Sequence, residues 1–201
     1  MPAIFEDNIF FIHIPKTGGS SIESFLESHN KKISLNCEDG SISVNYHSPQ
    51  HMTFREIENL GLDLPGLNFF TILRDPVQRT ISEYFYIKKY SLPVGDSFDD
   101  FDGFLDLFLN RINSELFDNH NLSTYDFLID NNGNINNNII KFDFFDIPSI
   151  EKFLRLKGLS NFKKLQTDKG DFEPSKEQIQ RIKEYYYLDY KHFNFQNGKI
   201  K

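Results

Sequence analysis

Two short, predominantly apolar runs stand out in the first half of the chain. They cover residues 9–14 and 67–73, and each is followed by a turn and then by an amphipathic helical pattern. Such runs are typical of strands buried on both faces, as in a parallel sheet covered by helices. Two strand-to-helix crossovers therefore predict an α/β protein with a mostly parallel central sheet flanked by helices. Its ligands should bind at the carboxyl ends of the strands.

The starts of the two helices are predicted from capping residues. Ser20 and Glu23 have the spacing of a capping box, which begins the first helix near Ser20. After the second strand, Asp75 should be the N-cap and Pro76 the first helical residue, and the helix should continue to about Lys89.

The rest of the chain carries weaker signals. The asparagine-rich residues 131–138, which include Gly133, are typical of a turn or hairpin tip. A third strand is predicted at 139–145, and helices at 52–60, 98–109, 149–156 with Ser149 as its cap, and 175–193, where Ser175 and Gln178 have capping-box spacing. No repeat or linker divides the chain, so residues 1–201 are predicted to form one domain.

Composition narrows the classes of function. The chain has 201 residues, of which 39% are hydrophobic and 25% charged, as in ordinary globular proteins. A net charge of −7 argues against non-specific binding to nucleic acid or to an anionic membrane, so an anionic ligand would need a local cluster of donors. The single cysteine, Cys37, excludes an internal disulfide framework and a multi-cysteine zinc site.

Neither a membrane span nor a signal peptide is visible in the sequence. No run approaches the roughly 18 apolar residues that span a bilayer, and the N-terminus lacks a basic region followed by an apolar one. We therefore expect a cytoplasmic protein with no membrane partner. No pattern in the sequence sets an oligomeric state.

The turn after the first strand, Lys16-Thr17-Gly18-Gly19-Ser20-Ser21, is the most informative segment. Its glycines let a ligand approach the backbone, and the N–H groups at a helix start favour phosphate or sulfate. Hydroxyls of Thr17, Ser20 and Ser21 can add donors, and Lys16 supplies a mobile charge. The turn is not a Walker A loop, in which the lysine follows the glycines. On this pattern alone, a capped turn with a surface lysine is an equally good interpretation.

A second candidate anion site follows the second strand. Arg74 ends that strand, and Ser82 lies eight residues further on, two turns into the next helix. An arginine can bind a phosphate with two parallel N–H bonds, and a serine can add a third donor. Taken alone, an ion pair between Arg74 and a helix carboxylate, with Ser82 facing solvent, is the favoured interpretation.

These segments together resemble sulfotransferases. Residues 14–21 (IPKTGGSS) resemble the family's 5′-phosphosulfate loop, especially in the Golgi-type carbohydrate branch that includes heparan sulfate 2-O-sulfotransferase. Residues 74–84 (RDPVQRTISEY) resemble its 3′-phosphate motif, and residues 50–57 (QHMTFREI) a histidine-containing segment between the two. The resemblance implies a P-loop-NTPase-like sulfotransferase fold. It also implies the donor 3′-phosphoadenosine 5′-phosphosulfate (PAPS), an acceptor hydroxyl or amine, and no metal.

The resemblance implies roles for residues at the donor end of the site. Lys16 would stabilise the oxygen that links sulfate to phosphate, and residues 18–21 would hold the 5′-phosphate. Arg74 and Ser82 would hold the 3′-phosphate, and the loop containing Lys169 and Gly170 would approach the adenosine. Arg79 also matches the family pattern, but a structural ion pair is the favoured interpretation for it.

Histidine is the natural general base near neutral pH. His51 is the first candidate because it lies in the matching segment, and His47 is the second because the Tyr46-His47 pair is similar to one in heparan-type enzymes. The remaining histidines, His13, His29, His120 and His192, are interpreted as structural. Glu23 is expected to point away from the anion site or to serve only the helix cap, and acidic residues 96–106 are expected to form a solvated helix face.

Two other functions remain open at this stage. A kinase that binds ATP at the Lys16 loop would require magnesium, whereas sulfuryl transfer should survive EDTA. A non-catalytic nucleotide-binding module would bind adenosine 3′,5′-bisphosphate, the product of PAPS, without turnover. The acceptor could be a sugar, phenol, peptide or lipid, although the net negative charge argues against a highly sulfated polysaccharide.

Overall fold

A four-stranded sheet forms the centre of the computed structural model, which describes residues 2–35, 48–61, 66–90, 97–113, 115–144, 146–162, 168, 170–196 and 199–200. In spatial order the strands are β1 (Ala3–Ile4), β2 (Ile9–Ile12), β3 (Asn68–Leu73) and β4 (Ile140–Asp143). The short β1 is antiparallel to β2, while β2, β3 and β4 are mutually parallel. The mostly parallel sheet predicted from the sequence is confirmed, and its three long strands lie within the predicted runs.

Helices follow the strands and connect them. The α-helices in the described part of the chain are α1 (Gly19–Ser28), α2 (Phe54–Asn59), α3 (Pro76–Lys89), α4 (Phe101–Phe108), α5 (Thr124–Leu128), α6 (Ile147–Leu154), α7 (Lys176–Tyr185) and α8 (Tyr187–His192). Short 3₁₀ turns include Pro49–His51 and Leu159–Asn161, and β5 (Phe195–Gln196) pairs with β6 (Lys199–Ile200). None of the helices in these ranges is long and apolar enough to cross a membrane.

Both faces of the sheet are covered, because successive side chains of a strand point to opposite faces. Phe10 and Ile12 pack with residues of α2 and α5 on one face. Phe11 and Phe70 pack with residues of α1 and α6 on the other. A third apolar cluster, away from the sheet, joins α3, α4 and α7 around the buried Tyr186.

The observed N-cap residues of α3 and α7 agree with the predicted ones. Asp75 accepts a hydrogen bond from the backbone N–H of Gln78, and α3 runs from Pro76 to Lys89 as predicted. Ser175 likewise caps α7 in the predicted capping box. The continuous helix predicted to residue 193 is wrong, because the chain breaks at Tyr186 between α7 and α8.

Two predicted caps are also wrong. The N-cap of α1 is Gly18, whose backbone lies in the left-handed region with a φ of 88°, so the helix begins before Ser20. The cap of α6 is the side chain of Asp146, which accepts from the backbone N–H of Ser149. In both cases the observed N-cap lies two or three positions before the predicted one.

Candidate active site

A cavity of about 950 Å³ lies where β2, β3 and β4 end. Its lining includes residues that come soon after each of these strands, among them Lys16, Arg74 and Phe144. The predicted site residues within the described part of the chain all line this one cavity: Lys16, Thr17, Gly18, Gly19, Ser20, Ser21, His51, Arg74 and Ser82. His47 and Lys169 lie outside the described residues.

In the glycine turn, residues 16–21, an aromatic or imidazole ring lies close to the backbone of each glycine. Gly19 lies so near His13 that a Cβ atom would come within 2.0 Å of the imidazole Nε2 atom. A Cβ at Gly18 would lie 3.2 Å from Phe144, and its positive φ disfavours any other residue. Thr17 is fully buried, and its hydroxyl donates a 2.7 Å hydrogen bond to the carbonyl oxygen of Ile14. This buried hydrogen bond therefore stabilises the conformation of the glycine turn.

Lys16 brings a largely buried positive charge to the cavity. Its Nζ atom lies 3.6 Å from the centre of the Tyr86 ring and 4.0 Å from a carboxylate oxygen of Glu83. Burial lowers the pKa of Lys16 to about 8, with Arg74 acting in the same direction and Glu83 opposing both. An added anion would restore the charged state, which is the behaviour expected of a cation in an anion site.

Arg74 is the second cation of this region. Its Nη1 atom donates a 2.9 Å hydrogen bond to the carbonyl oxygen of Lys16, and the guanidinium lies 4.6 Å from the centre of the Phe144 ring. Burial, reinforced by the charge of Arg79, lowers the pKa of Arg74 to about 10. These contacts, rather than the helix carboxylate favoured for the isolated motif, hold Arg74 beside the glycine turn.

Three histidines on the cavity wall each contact a carboxylate through Nδ1. The pairs are His13 with Glu23, His51 with Asp118, and His120 with Glu83, each at 2.8 Å. The imidazole of His51 lies between the other two, with ring centres 5.1 Å from His13 and 4.6 Å from His120. The structure thus places His13 and His120, which were interpreted as structural, in the same cavity as the candidate base.

The electrostatics of the His51–Asp118 pair favour a neutral imidazole. Burial lowers the pKa of His51 well below its ordinary value even though Asp118 opposes this. Burial alone would raise the pKa of Asp118, but hydrogen bonds from His51 and the backbone of Ser48 hold it far below the usual range. Because an ionised carboxylate can only accept, the proton of His51 lies on Nδ1 and its Nε2 is left as an acceptor.

Glu23 differs from the expectation for it. It does not cap α1, and it lines the cavity instead of pointing away. Gln50 donates to its two carboxylate oxygens at 2.7 and 2.8 Å, in addition to the contact with His13. Burial raises the pKa of Glu23, but these partners outweigh it and the net pKa is lowered.

Arg79 is buried, as a structural residue should be, but its contacts are not the predicted ion pair. It donates to the carbonyl oxygens of Pro15 at 3.1 Å, Leu122 at 3.1 Å and His120 at 3.4 Å. A further hydrogen bond reaches the hydroxyl of Thr124 at 3.3 Å. Arg79 thus connects the base of the glycine turn to the segment that carries His120.

The acidic helix face near residue 100 forms surface contacts. Asp100 caps α4, and Asp102 and Asp106 contact Arg181 on α7. These contacts are consistent with the predicted solvated helix face and lie apart from the cavity, while Asp96 lies outside the described residues.

Sequence reasoning missed Glu83, Asp118 and His120. Glu83 directly follows Ser82 in the second motif, which is the one local signal that could have singled it out. Asp118 and His120 lie in irregular chain between α4 and α5, where no periodic pattern relates them to the strand ends. Their proximity to His51 arises from the tertiary fold.

The fold and the cavity define the class of protein: an α/β protein whose parallel strands end at a cavity lined by a glycine turn, two cations and three histidines that contact carboxylates. The sequence matches the family model described as Sulfotransferase family over residues 5–196, and the chain therefore belongs to the sulfotransferase family. Membership implies transferase activity toward an acceptor that carries a hydroxyl group. No curated protein and no solved structure matched the chain. The resemblance to sulfotransferases is thus confirmed for the family, and the Golgi-type branch stays a prediction.

Proposed function

We propose that this protein transfers the sulfuryl group of PAPS to an acceptor hydroxyl by in-line displacement. The observation that carries the proposal is the hydrogen bond from Arg74 to the carbonyl oxygen of Lys16, which brings the two candidate anion sites side by side. A ligand phosphorylated at two places could then contact both. PAPS has this property, because its 3′-phosphate and its 5′-phosphosulfate are on the same ribose.

The donor end of the cavity fits such a ligand. The N-terminus of α1, beginning at Gly18 and Gly19, offers backbone N–H groups to the 5′-phosphate. Arg74 and Ser82 would hold the 3′-phosphate, the arginine with its planar pair of N–H donors. Lys16 precedes the glycine turn, its carbonyl oxygen accepts from Arg74, and it is the cation assigned to the bridging oxygen.

The transfer step requires two changes in bonding. A bond forms between the acceptor oxygen and sulfur while the bond from sulfur to the bridging oxygen breaks, and adenosine 3′,5′-bisphosphate leaves. The proton of the acceptor hydroxyl passes to Nε2 of His51, whose Nδ1–H is held by Asp118. Lys16 stabilises the negative charge that develops on the leaving oxygen, as positioned cations do in phosphoryl transfer.

The acceptor enters on the histidine side in this proposal. The remaining wall of the cavity includes apolar side chains from α6 and the following turn, among them Ile147, Ile150 and Leu159. A sugar or another small molecule with a hydroxyl group would suit a cavity of this size and mixed lining. No metal ion is required for any of these steps.

Calorimetric titration with adenosine 3′,5′-bisphosphate, AMP and ATP tests the donor assignment. We expect the bisphosphate to bind at least about tenfold more tightly than AMP, since one charge-assisted hydrogen bond contributes about 1.5–3 kcal/mol. Arg74→Ala should abolish this preference, and Lys16→Ala should weaken binding of all anionic ligands. Lys191→Ala, at an exposed position on α8, is the matched control.

Equal affinity of the wild-type protein for AMP and the bisphosphate would remove the roles given to Arg74 and Ser82. Tight bisphosphate binding without turnover of PAPS by any acceptor would instead identify a non-catalytic nucleotide-binding module.

A further inference from the structure

The histidine side of the cavity brings together potential metal ligands from two separate segments of the chain. His51, Asp118 and His120 each offer one ligand atom, and the three atoms all lie within 4.8 Å of one another. His51 ends the 3₁₀ turn Pro49–His51, while the other two precede α5. Such spacing is close to that required of donors to one ion.

The surrounding carboxylates favour a cation at this place. Asp118, Glu83 and Glu23 each lie 2.8 Å from the Nδ1 atom of a histidine. Lys16, at 4.0 Å from Glu83, offsets part of this negative charge. The remaining negative charge is partly buried, where its attraction for a cation is stronger than in water.

The orientation of His120 is that of a metal-binding histidine. Its Nδ1 contacts the Glu83 carboxylate, so Nε2 is the nitrogen that remains for a ligand. Histidine ligands of metal ions commonly have a carboxylate on the other ring nitrogen, which fixes the ring and raises its basicity. His13 has the same carboxylate arrangement, but its Nε2 lies against Gly19 and is not a candidate ligand.

We propose that His51, Asp118 and His120 form a binding site for a divalent transition-metal ion of the zinc class. Imidazole and carboxylate ligands suit zinc, cobalt and nickel better than magnesium or calcium, which prefer oxygen alone. Three protein ligands leave a position open to water. Because Asp118 lies on the Nδ1 side of His51, an ion shared by the two residues takes Nδ1 as its ligand and leaves the ring proton on Nε2. Where the proposed function holds, the bound ion thus removes the proton acceptor and inhibits transfer.

Zinc titration of the chelator-treated full chain tests the site without donor or acceptor, so its outcome is independent of the proposed function. We expect one Zn²⁺ per chain in calorimetry, and Co²⁺ should give the visible absorption of histidine-ligated cobalt. His120→Asn and Asp118→Asn should each lower zinc affinity by about tenfold or more. His192→Asn, an exposed histidine at the end of α8, should leave it unchanged.

Nitrogen NMR of the histidine rings gives a second readout. It uses the wild-type protein and so does not depend on whether a variant folds. Zinc should shift the ring nitrogens of His51 and His120 and leave those of His29 and His192 in place. The proposal is overturned if millimolar zinc does not bind. It is equally overturned if the shifts occur at His29 or His192, or if the variants bind zinc as the wild type does.

Discussion

The guanidinium of Arg74 donates a 2.9 Å hydrogen bond to the carbonyl oxygen of Lys16. The bond joins the ends of two parallel strands, β2 and β3, whose motifs lie more than fifty residues apart in the sequence. A guanidinium facing another side of the molecule would have prevented any single nucleotide from contacting both motifs. Because the two motifs are adjacent, substitutions in either one should affect the binding of the same nucleotide.

Binding of adenosine 3′,5′-bisphosphate should weaken as the pH rises through about 8. Burial lowers the pKa of Lys16 to about that value, and only the protonated amine attracts the anion. Affinity should be constant at lower pH, down to where the phosphates themselves titrate. Above about 8 it should fall by up to about tenfold per pH unit until the pKa of the complex is reached. Calorimetry from pH 7 to pH 10 measures this dependence.

Two variants distinguish the titration of Lys16 from that of other groups. Lys16→Arg keeps its charge over this range, so its affinity should not vary between pH 7 and pH 9, below the pKa of Arg74. Glu83→Gln removes the carboxylate that raises the pKa of Lys16, and the fall should therefore begin at lower pH, whereas the exposed Glu184→Gln should change nothing. An unchanged pH profile in Lys16→Arg would assign the titration to another group.

Replacement of His51 should slow transfer while leaving donor binding intact. His51→Asn removes the proposed base, and a loss of about 10²–10⁴-fold in kcat is expected for a positioned proton acceptor. Asp118→Asn should cause a smaller loss, because it disturbs the orientation of the imidazole without removing it. Turnover and bisphosphate affinity are measured on the same preparations, with His192→Asn as the control. If kcat survives His51→Asn, the base lies elsewhere, and His120→Asn is the next variant to measure.

Gly19→Ala should destabilise the fold through a specific clash. The added methyl group would lie 2.0 Å from Nε2 of His13, so the turn or the imidazole must move, and overpacking of this kind costs about 1–3 kcal/mol. The free energy of unfolding, measured with denaturant, gives the loss. In a His13→Ala background the ring is gone, and the additional cost of Gly19→Ala should disappear. A cost that is the same in both backgrounds would place the strain in the backbone.

Sulfuryl transfer should continue in the presence of EDTA and without magnesium. The proposed chemistry relies on Lys16, Arg74 and His51, whereas a kinase needs a metal ion to neutralise the phosphates of ATP. The measurement is the rate of transfer from PAPS before and after chelation. Loss of activity on chelation, with recovery on adding magnesium, would favour the kinase alternative.

The sequence predicted the parts of the structure that depend on local interactions. The apolar runs of β2 and β3 and the start of α3 at Asp75 and Pro76 are short-range signals, and they are confirmed. The predicted cap of α1 was wrong because Gly18, in the left-handed region, precedes the helix in place of the expected Ser20.

Only those residues of the candidate site that belong to continuous sequence motifs were predicted. Lys16 and Arg74 stand in recognisable segments at strand ends, whereas Asp118 and His120 lie in irregular chain. Asp118 contacts His51 and His120 contacts Glu83 only because that irregular segment folds back over the sheet. No spacing in the sequence predicts these contacts. The third carboxylate–histidine pair, formed by Glu23, was hidden by a capping pattern that the fold does not use.

Arg79 holds the chain on both sides of the cavity through main-chain oxygens, those of Pro15, His120 and Leu122. These hydrogen bonds do not depend on the side chains of the three residues, whereas the one to the hydroxyl of Thr124 does. Substitution of the side chain of His120 or Leu122 should therefore leave these main-chain contacts in place, provided that Arg79 and Thr124 are kept.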